Sequence, residues 1–191
     1  MPHYYLERKK WFLENYWGKD HDNIFVPNGI LSARDLVPKL RILKKLVQRD
    51  GRVLDLGCGN GLLLKCLLAA SRRKLVPYGV DFIEAAIRQA KDRILPRFRR
   101  NFSVGNVLRY RFRTKFDYII TDPECAADRD IGTFCRRCRD GLRKGGALIF
   151  FIPDDGLPRL RMRQRTIPYL ESQGFRWSRL GGLLCAYATR D

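Results

Sequence analysis

The sequence predicts an α/β fold: a doubly wound, mostly parallel sheet of seven strands with helices on both faces. Three observations carry that expectation. Short apolar runs (RVLDLG, PYGVDF, NFSVGN, FDYIITD, ALIFFIP) alternate with stretches of helical periodicity, the pattern of repeated βα units. A glycine-rich segment, DLGCGNG, carries the first of these runs directly into a helix. The last two apolar runs are joined by Gly181-Gly182, so they form a hairpin, and one antiparallel strand is expected at that edge.

In chain order, residues 4–17 place Tyr5, Leu6, Phe12, Leu13 and Trp17 near helical spacing. Residues 18–30 read as a loop with turn residues at both ends. Ser32 to Gln48 resumes the helical period, with Leu36, Leu40, Leu43 and Leu46 on one stripe and Ser32 as the N-cap. Strands follow at 52–57, 77–82, 101–106, 116–122 and 147–153, with helices at 61–72, 83–94 and 131–143. The last of these helices is expected to end at Lys144-Gly145-Gly146. Residues 158–174 read as partly helical, and 175–180 and 183–190 as the closing strands. The chain is expected to be one domain, with 1–48 a helical cap or lid and 49–191 the core.

With 191 residues, 45% of them apolar and 30% charged, a disordered polymer is excluded. The longest unbroken apolar stretch, ALIFFI at 147–152, is far short of the roughly 20 residues that span a bilayer, so no membrane partner is expected. Met1 to Lys10 has no apolar run, and six cysteines without a leader read as free thiols of a cytoplasmic protein. The charge is unusual: 38 basic against 20 acidic residues, net +18. Within 86–115, ten Lys or Arg face a single acid, Asp92. Such a field favours a polyanionic partner such as RNA, while an arginine-heavy surface, 27 of the 38 being Arg, is the competing reading.

The chemistry is concentrated at Asp55-Leu56-Gly57-Cys58-Gly59-Asn60-Gly61. Alternate glycines permit positive φ and close approach of a ligand, and the following helix offers free N–H groups. Leu62 stands where a dinucleotide fingerprint needs its third glycine, and an acid before the turn suits a ligand bearing a positively charged amine. Over about 50–190 the chain resembles the class I S-adenosylmethionine-dependent methyltransferases, whose fold is Rossmann-like. DLGCGNG matches the family's acid-GxGxG motif, placing Asp55, Gly57, Cys58, Gly59 and Gly61 at the cofactor. Asp81 in YGVDF, with Phe82 beside it, matches the acid that accepts hydrogen bonds from the ribose hydroxyls. Gly105-Asn106-Val107 stands where the family usually has Gly-Asp-hydrophobic; the resemblance assigns Asn106 and Val107 to the adenine. FDYIITDPEC matches the motif after strand four, which implies that Asp122 and Glu124 line the methyl-transfer spot and position or deprotonate an acceptor. Asp-Pro-Glu-Cys departs from the N/D-P-P-aromatic of enzymes that methylate base amines. Cys125 lies one position later than a nucleophile acting on pyrimidine carbon would.

Other features have plainer readings. Cys135 and Cys138 form CxxC within a helix and, with no second pair at zinc spacing, read as packed side chains, so no metal is expected. His3 and His21 sit in the amino-terminal segment, where His21 is a minor candidate for a general base. RYRFR (109–113) resembles a strand with a cationic face, and RLRMRQR (159–165) adds arginines suited to phosphate or carboxylate. The sequence thus predicts an S-adenosylmethionine-dependent methyltransferase whose acceptor is RNA or another nucleic acid, held by arginines on the cofactor-binding edge. The alternatives are a small-molecule acceptor, or a nucleic-acid-binding protein that keeps the fold without catalysis.

Overall fold

The structure, a computed structural model, describes residues 6–7, 9–10, 13–14, 24–26, 29–31, 36–122, 125, 130–153, 167–180 and 183–189. Side chains are described within these except at 24–26, 29–31, 152–153, 167, 177–180 and 183–184. The strands are β1 (Ile24–Val26), β2 (Gly29–Leu31), β3 (Gly51–Leu56), β4 (Leu75–Asp81), β5 (Phe102–Val104), β6 (Phe116–Thr121), β7 (Leu142–Pro153), β8 (Arg176–Leu180) and β9 (Leu183–Thr189). The helices are α1 (Val37–Leu46), α2 (Leu62–Ala70), α3 (Glu84–Gln89), α4 (Ile131–Gly141) and α5 (Ile167–Ser172).

Strands β3 to β9 form one sheet in the order β5-β4-β3-β6-β7-β9-β8. The first five run parallel, and β9 pairs antiparallel with both β7 and the outer strand β8. Every residue of β6 is buried, as a strand covered on both faces must be. One face packs Val53, Tyr118, Ile120 and Ile149 against Leu43, Leu64, Leu67 and Ile87 of α1, α2 and α3. The other packs Leu54, Leu56, Ile119 and Phe150 against Phe134, Cys135, Cys138 and Leu170 of α4 and α5. Alternation along each strand thus sends successive side chains to two separate cores. Cys135 and Cys138 belong to the second core, and burial pushes both thiols up, Cys135 to about 12.

Several local expectations are corrected. Residues 18–30 are not all loop: Ile24–Val26 pairs with Gly29–Leu31 across Pro27-Asn28, because β-branched and aromatic residues flank a two-residue link. Helix α1 begins at Val37 with Pro38 in its first turn, where a missing N–H costs nothing; Ser32 lies outside the described residues. The helix expected over 83–94 is α-helical only to Gln89, then widens at Ala90–Ile94, where Leu95 N–H reaches Ala90 O at 2.9 Å. The expected strand at RYRFR is absent, for its aromatics turn inward. Tyr110 meets Phe112 edge-on at 5.2 Å, and Phe112 meets Phe116 at 6.3 Å. A Cβ on Gly141 would lie 2.5 Å from the Phe112 ring, so this packing also needs the glycine.

Lys144-Gly145-Gly146 does not cap a helix. Helix α4 ends at Gly141, and β7 begins at once with a bulge in its register against β6, from Phe116↔Leu142 to Tyr118↔Ala147. Gly145 takes φ +68°, and a Cβ on Gly146 would lie 3.1 Å from the carbonyl oxygens of Phe116 and Asp117. Buried Asp117 organises this end of the sheet. Its carboxylate accepts Arg52 N–H at 2.8 Å, faces Arg143 at 3.6 Å, and fills the space that any side chain at Gly51 would need. Asp117→Ala should therefore destabilise the protein by about 1–3 kcal/mol in denaturant unfolding, the cost of an orphaned N–H and a missing charged partner. A loss under about 0.5 kcal/mol would show that the bulge stands without it.

Candidate active site

The glycine turn after β3 is held to the end of β4 by backbone. Val80 O accepts Gly57 N–H at 2.8 Å and Cys58 N–H at 3.1 Å, and Cys58 O accepts Gly61 N–H at 2.9 Å. Gly57, Gly59 and Gly61 take φ of +88°, +52° and +80°, so each needs a residue without a Cβ. Gly57 is doubly constrained, because a Cβ there would lie 2.6 Å from Cys125 Sγ. The Cys58 thiol points inward toward Gly79. Buried Asn60 accepts Leu62 N–H at 3.2 Å and so satisfies one free donor at the start of α2.

Asp81 closes the site. One carboxylate oxygen accepts Gly59 N–H at 2.8 Å and the other accepts Ile83 N–H at 2.8 Å. Burial pushes its pKa up, and these bonds, with one from Phe82 N–H, oppose that. Three backbone donors leave about one of the carboxylate's four acceptor sites open to a hydroxyl. Asn106 Oδ1 accepts Leu108 N–H at 2.9 Å and orients the turn after β5, where Val107 is buried.

Asp55, Asp81 and Asp122 lie at the carboxyl ends of adjacent strands, close enough to repel one another. Asp55, only 5% exposed, is pushed up to about 7. Burial is the main cause; the Lys39 ammonium opposes it, and Asp81 and Asp122 add to it. Lys39 comes from α1, with its Nζ 5.2 Å from the centre of the Phe151 ring. Asp55, Gly57, Cys58, Gly59, Gly61, Asp81, Phe82, Asn106, Val107 and Asp122 thus share one edge of the sheet. Glu124, His3, His21 and the 159–165 segment lie outside the described residues. Cys125, its thiol against Leu56 O at 3.5 Å, is held up by burial and then by Asp122, which does not suit a thiolate nucleophile.

Residues 53–146 match a family described as a methyltransferase domain. Residues 53–146, 94 of the 191, thus carry a methyltransferase domain. The chain shares its fold with the PH0226 protein of Pyrococcus horikoshii OT3, at 21% identity over 83% of this chain and 90% of that one, TM-score 0.66. It is also similar to the N-methyltransferase NodS of Bradyrhizobium japonicum WM9, solved with S-adenosyl-L-homocysteine, at 18% identity over 82% and 86%, TM-score 0.60. A third similar structure is the ribosomal protein L11 methylase of Lactobacillus delbrueckii subsp. bulgaricus, at 16% identity over 82% and 80%, TM-score 0.59. No curated protein matches the chain in sequence.

Two further residues at this edge, Asn60 and Lys39, lie outside the motif assignments made from the sequence. Asn60 was legible as a polar residue just before a helix start. Lys39 was not, because nothing local connects a lysine on α1 to an aspartate on β3. The raised Asp55 carboxyl fixes a pH dependence. Its ordinary value is 3.8 and its folded value about 7, so the unfolded chain releases its proton first and stability falls as pH rises between these values. Below about pH 4 the effect is absent, and above about 7 it is complete. In denaturant unfolding without cofactor, Asp55→Asn should remove about 2–4 kcal/mol of this decline. Parallel pH profiles for the two proteins would remove Asp55 from the acidic cluster.

Proposed function

We propose that this methyltransferase acts on an RNA acceptor, and that the edge carrying Asp55, Asp81 and Asp122 holds S-adenosylmethionine. Bound there, the sulfonium supplies a methyl group for in-line displacement, which depends on alignment of the nucleophile more than on a strong base. The cradle fits such a group. Three positive-φ glycines leave room for backbone contact, and the crowded carboxylates favour a ligand with positive amine and sulfonium groups.

In this reading Asp55 pairs with the ligand's amine and Asp81 accepts a ribose hydroxyl. Phe82, Asn106 and Val107 take the base, with Asn106 Oδ1 keeping one lone pair for its amino group. Asp122 and Glu124 border the acceptor; Asp122 orients its attacking atom and accepts the proton released. Residues 1–48 cover the cleft. Lys39, reaching toward Asp55, supports this. RNA is favoured over a metabolite by one observation, the net +18 that the acidic cluster leaves distributed over the rest of the fold.

Labelled S-adenosylmethionine incubated with total RNA and, separately, with a metabolite extract tests the acceptor. Label in RNA is expected; label only in the extract would assign a small molecule, and none in either would leave a non-catalytic protein. Asp81→Ala should weaken S-adenosylmethionine binding by about ten- to a hundredfold in calorimetry, one charge-assisted bond being removed at roughly 1.5–3 kcal/mol. Unchanged affinity would remove Asp81 from the site. Asp122→Asn should lower kcat about 100-fold or more while cofactor affinity stays within about threefold. Equal losses in both would make Asp122 a cofactor ligand instead.

A further inference from the structure

We propose that the rim formed by the amino-terminal ends of the parallel strands, opposite the cofactor turn, is a docking surface for a nucleic-acid backbone. The proposal rests on the RNA reading for the identity of its partner, and deepens it by moving the grip from the cofactor edge to the far edge. In a parallel sheet every strand begins on one side, so the segments leading into the strands converge there. In this chain they are basic and exposed: 72–74 before β4, 97–100 before β5, 113–115 before β6 and 143–144 at the start of β7. Three acids near them are already engaged. Asp50 accepts Lys74 N–H at 2.9 Å, Asp92 faces Arg99 at 3.5 Å, and Asp117 is buried against Arg52 and Arg143.

A groove of about 330 Å³ opens on this rim where the last turns of α1 and α2 meet. Its floor includes Val47 and Ala70, and its polar lining is Lys44, Gln48, Ser71, Arg72 and Arg73. Among the described residues, none of the ion pairs engages Lys44, Arg72, Arg73, Arg97 or Arg100. Cations are ordinary at helix carboxyl ends, but two such ends carry only about one negative charge together. Lys44, Lys45, Arg72, Arg73 and Lys74 far exceed that. The five parallel strands make a rim about 19 Å wide, enough to meet several successive phosphates of one strand. Arginine suits phosphate, whose oxygens it can grip in pairs.

The opposite edge repels the same partner. The described carboxylates there include Asp55, Asp81, Glu84 and Asp122. The six residues of β3 separate the two edges by about 20 Å. The backbone gripped by the rim is therefore not the backbone beside a reacting group, and an RNA serving both must run along one face of the domain.

The test is fluorescence anisotropy of the full chain with a labelled 20-nucleotide RNA of mixed sequence, from 50 to 200 mM salt. One variant carries Lys44→Gln, Arg72→Gln and Arg73→Gln. A control carries Arg109→Gln and Arg111→Gln, which removes charge of the same sign away from the groove. The rim variant should bind at least tenfold more weakly at 100 mM salt. Its log–log salt slope should flatten by about 0.7 for each phosphate no longer neutralised, roughly two units in all. The control should fall less than threefold, and thermal unfolding and S-adenosylmethionine affinity should be unchanged in both variants. Weakened binding in the control with binding kept in the rim variant would overturn the proposal, as would equal weakening in both. Binding to phosphatidylserine vesicles without RNA binding would also overturn it and make the rim a membrane surface. RNA bound through the rim but never methylated would sustain the docking surface and defeat the RNA-acceptor reading.

Discussion

The site depends on the grip of Asp81 on the glycine turn. Its carboxylate takes one backbone N–H from the turn and one from the start of α3, so a single side chain fixes the end of β4, the turn after β3 and the next helix together. Burying a carboxylate is costly unless hydrogen bonds favour its charged form, and here the bonds that lower its pKa are the bonds that hold the turn. Gly59 can point its N–H at that oxygen because a positive φ is open to it. The architecture of the turn and the acidity of the site are therefore one arrangement.

That arrangement gathers negative charge. With Asp81 fixed, the parallel register brings Asp55 and Asp122 to the same edge, and Asp55 answers by holding its proton to about pH 7. Lys39 relieves part of the strain from outside the sheet, which couples the amino-terminal segment to the state of the cluster. A cationic ligand would relieve more. The acidic turn thus favours its ligand through the repulsion it removes as well as through the contacts it makes.

What the sequence made legible follows physical locality. Alternating apolar runs and helical stretches marked the parallel sheet, and glycines at alternate positions marked the turn, since both signals lie within a few residues of what they specify. Tertiary causes stayed hidden. Gly145-Gly146 reads as a helix stop, yet Asp117, distant in sequence, shapes that corner and helps turn the glycines into a bulge within β7. Tyr110 and Phe112 read as one side of a cationic strand, yet the ring of Phe116 and a gap at Gly141 draw them into the core. The Ala90–Ile94 widening lies where α3 passes the turn; Ala90 comes within 3.5 Å of where a Gly61 Cβ would sit, a fit between elements that no single segment encodes.

Under the proposed RNA reading, the direction of the strands also resolves an electrostatic conflict. A protein that binds a cationic cofactor among three carboxylates and also binds a polyanion needs two fields of opposite sign. These would cancel if they shared one surface. At physiological ionic strength a charge is screened over about 8 Å, so fields about 20 Å apart act almost independently. That separation is the length of a six-residue strand. Because every parallel strand ends on one edge and begins on the other, acids placed after strands and bases placed before them segregate without a second domain. If the proposed RNA docking holds, the net +18 and the buried acidic cluster are complementary, with carboxylates concentrated at the carboxyl edge of the sheet and the amino edge left for phosphate.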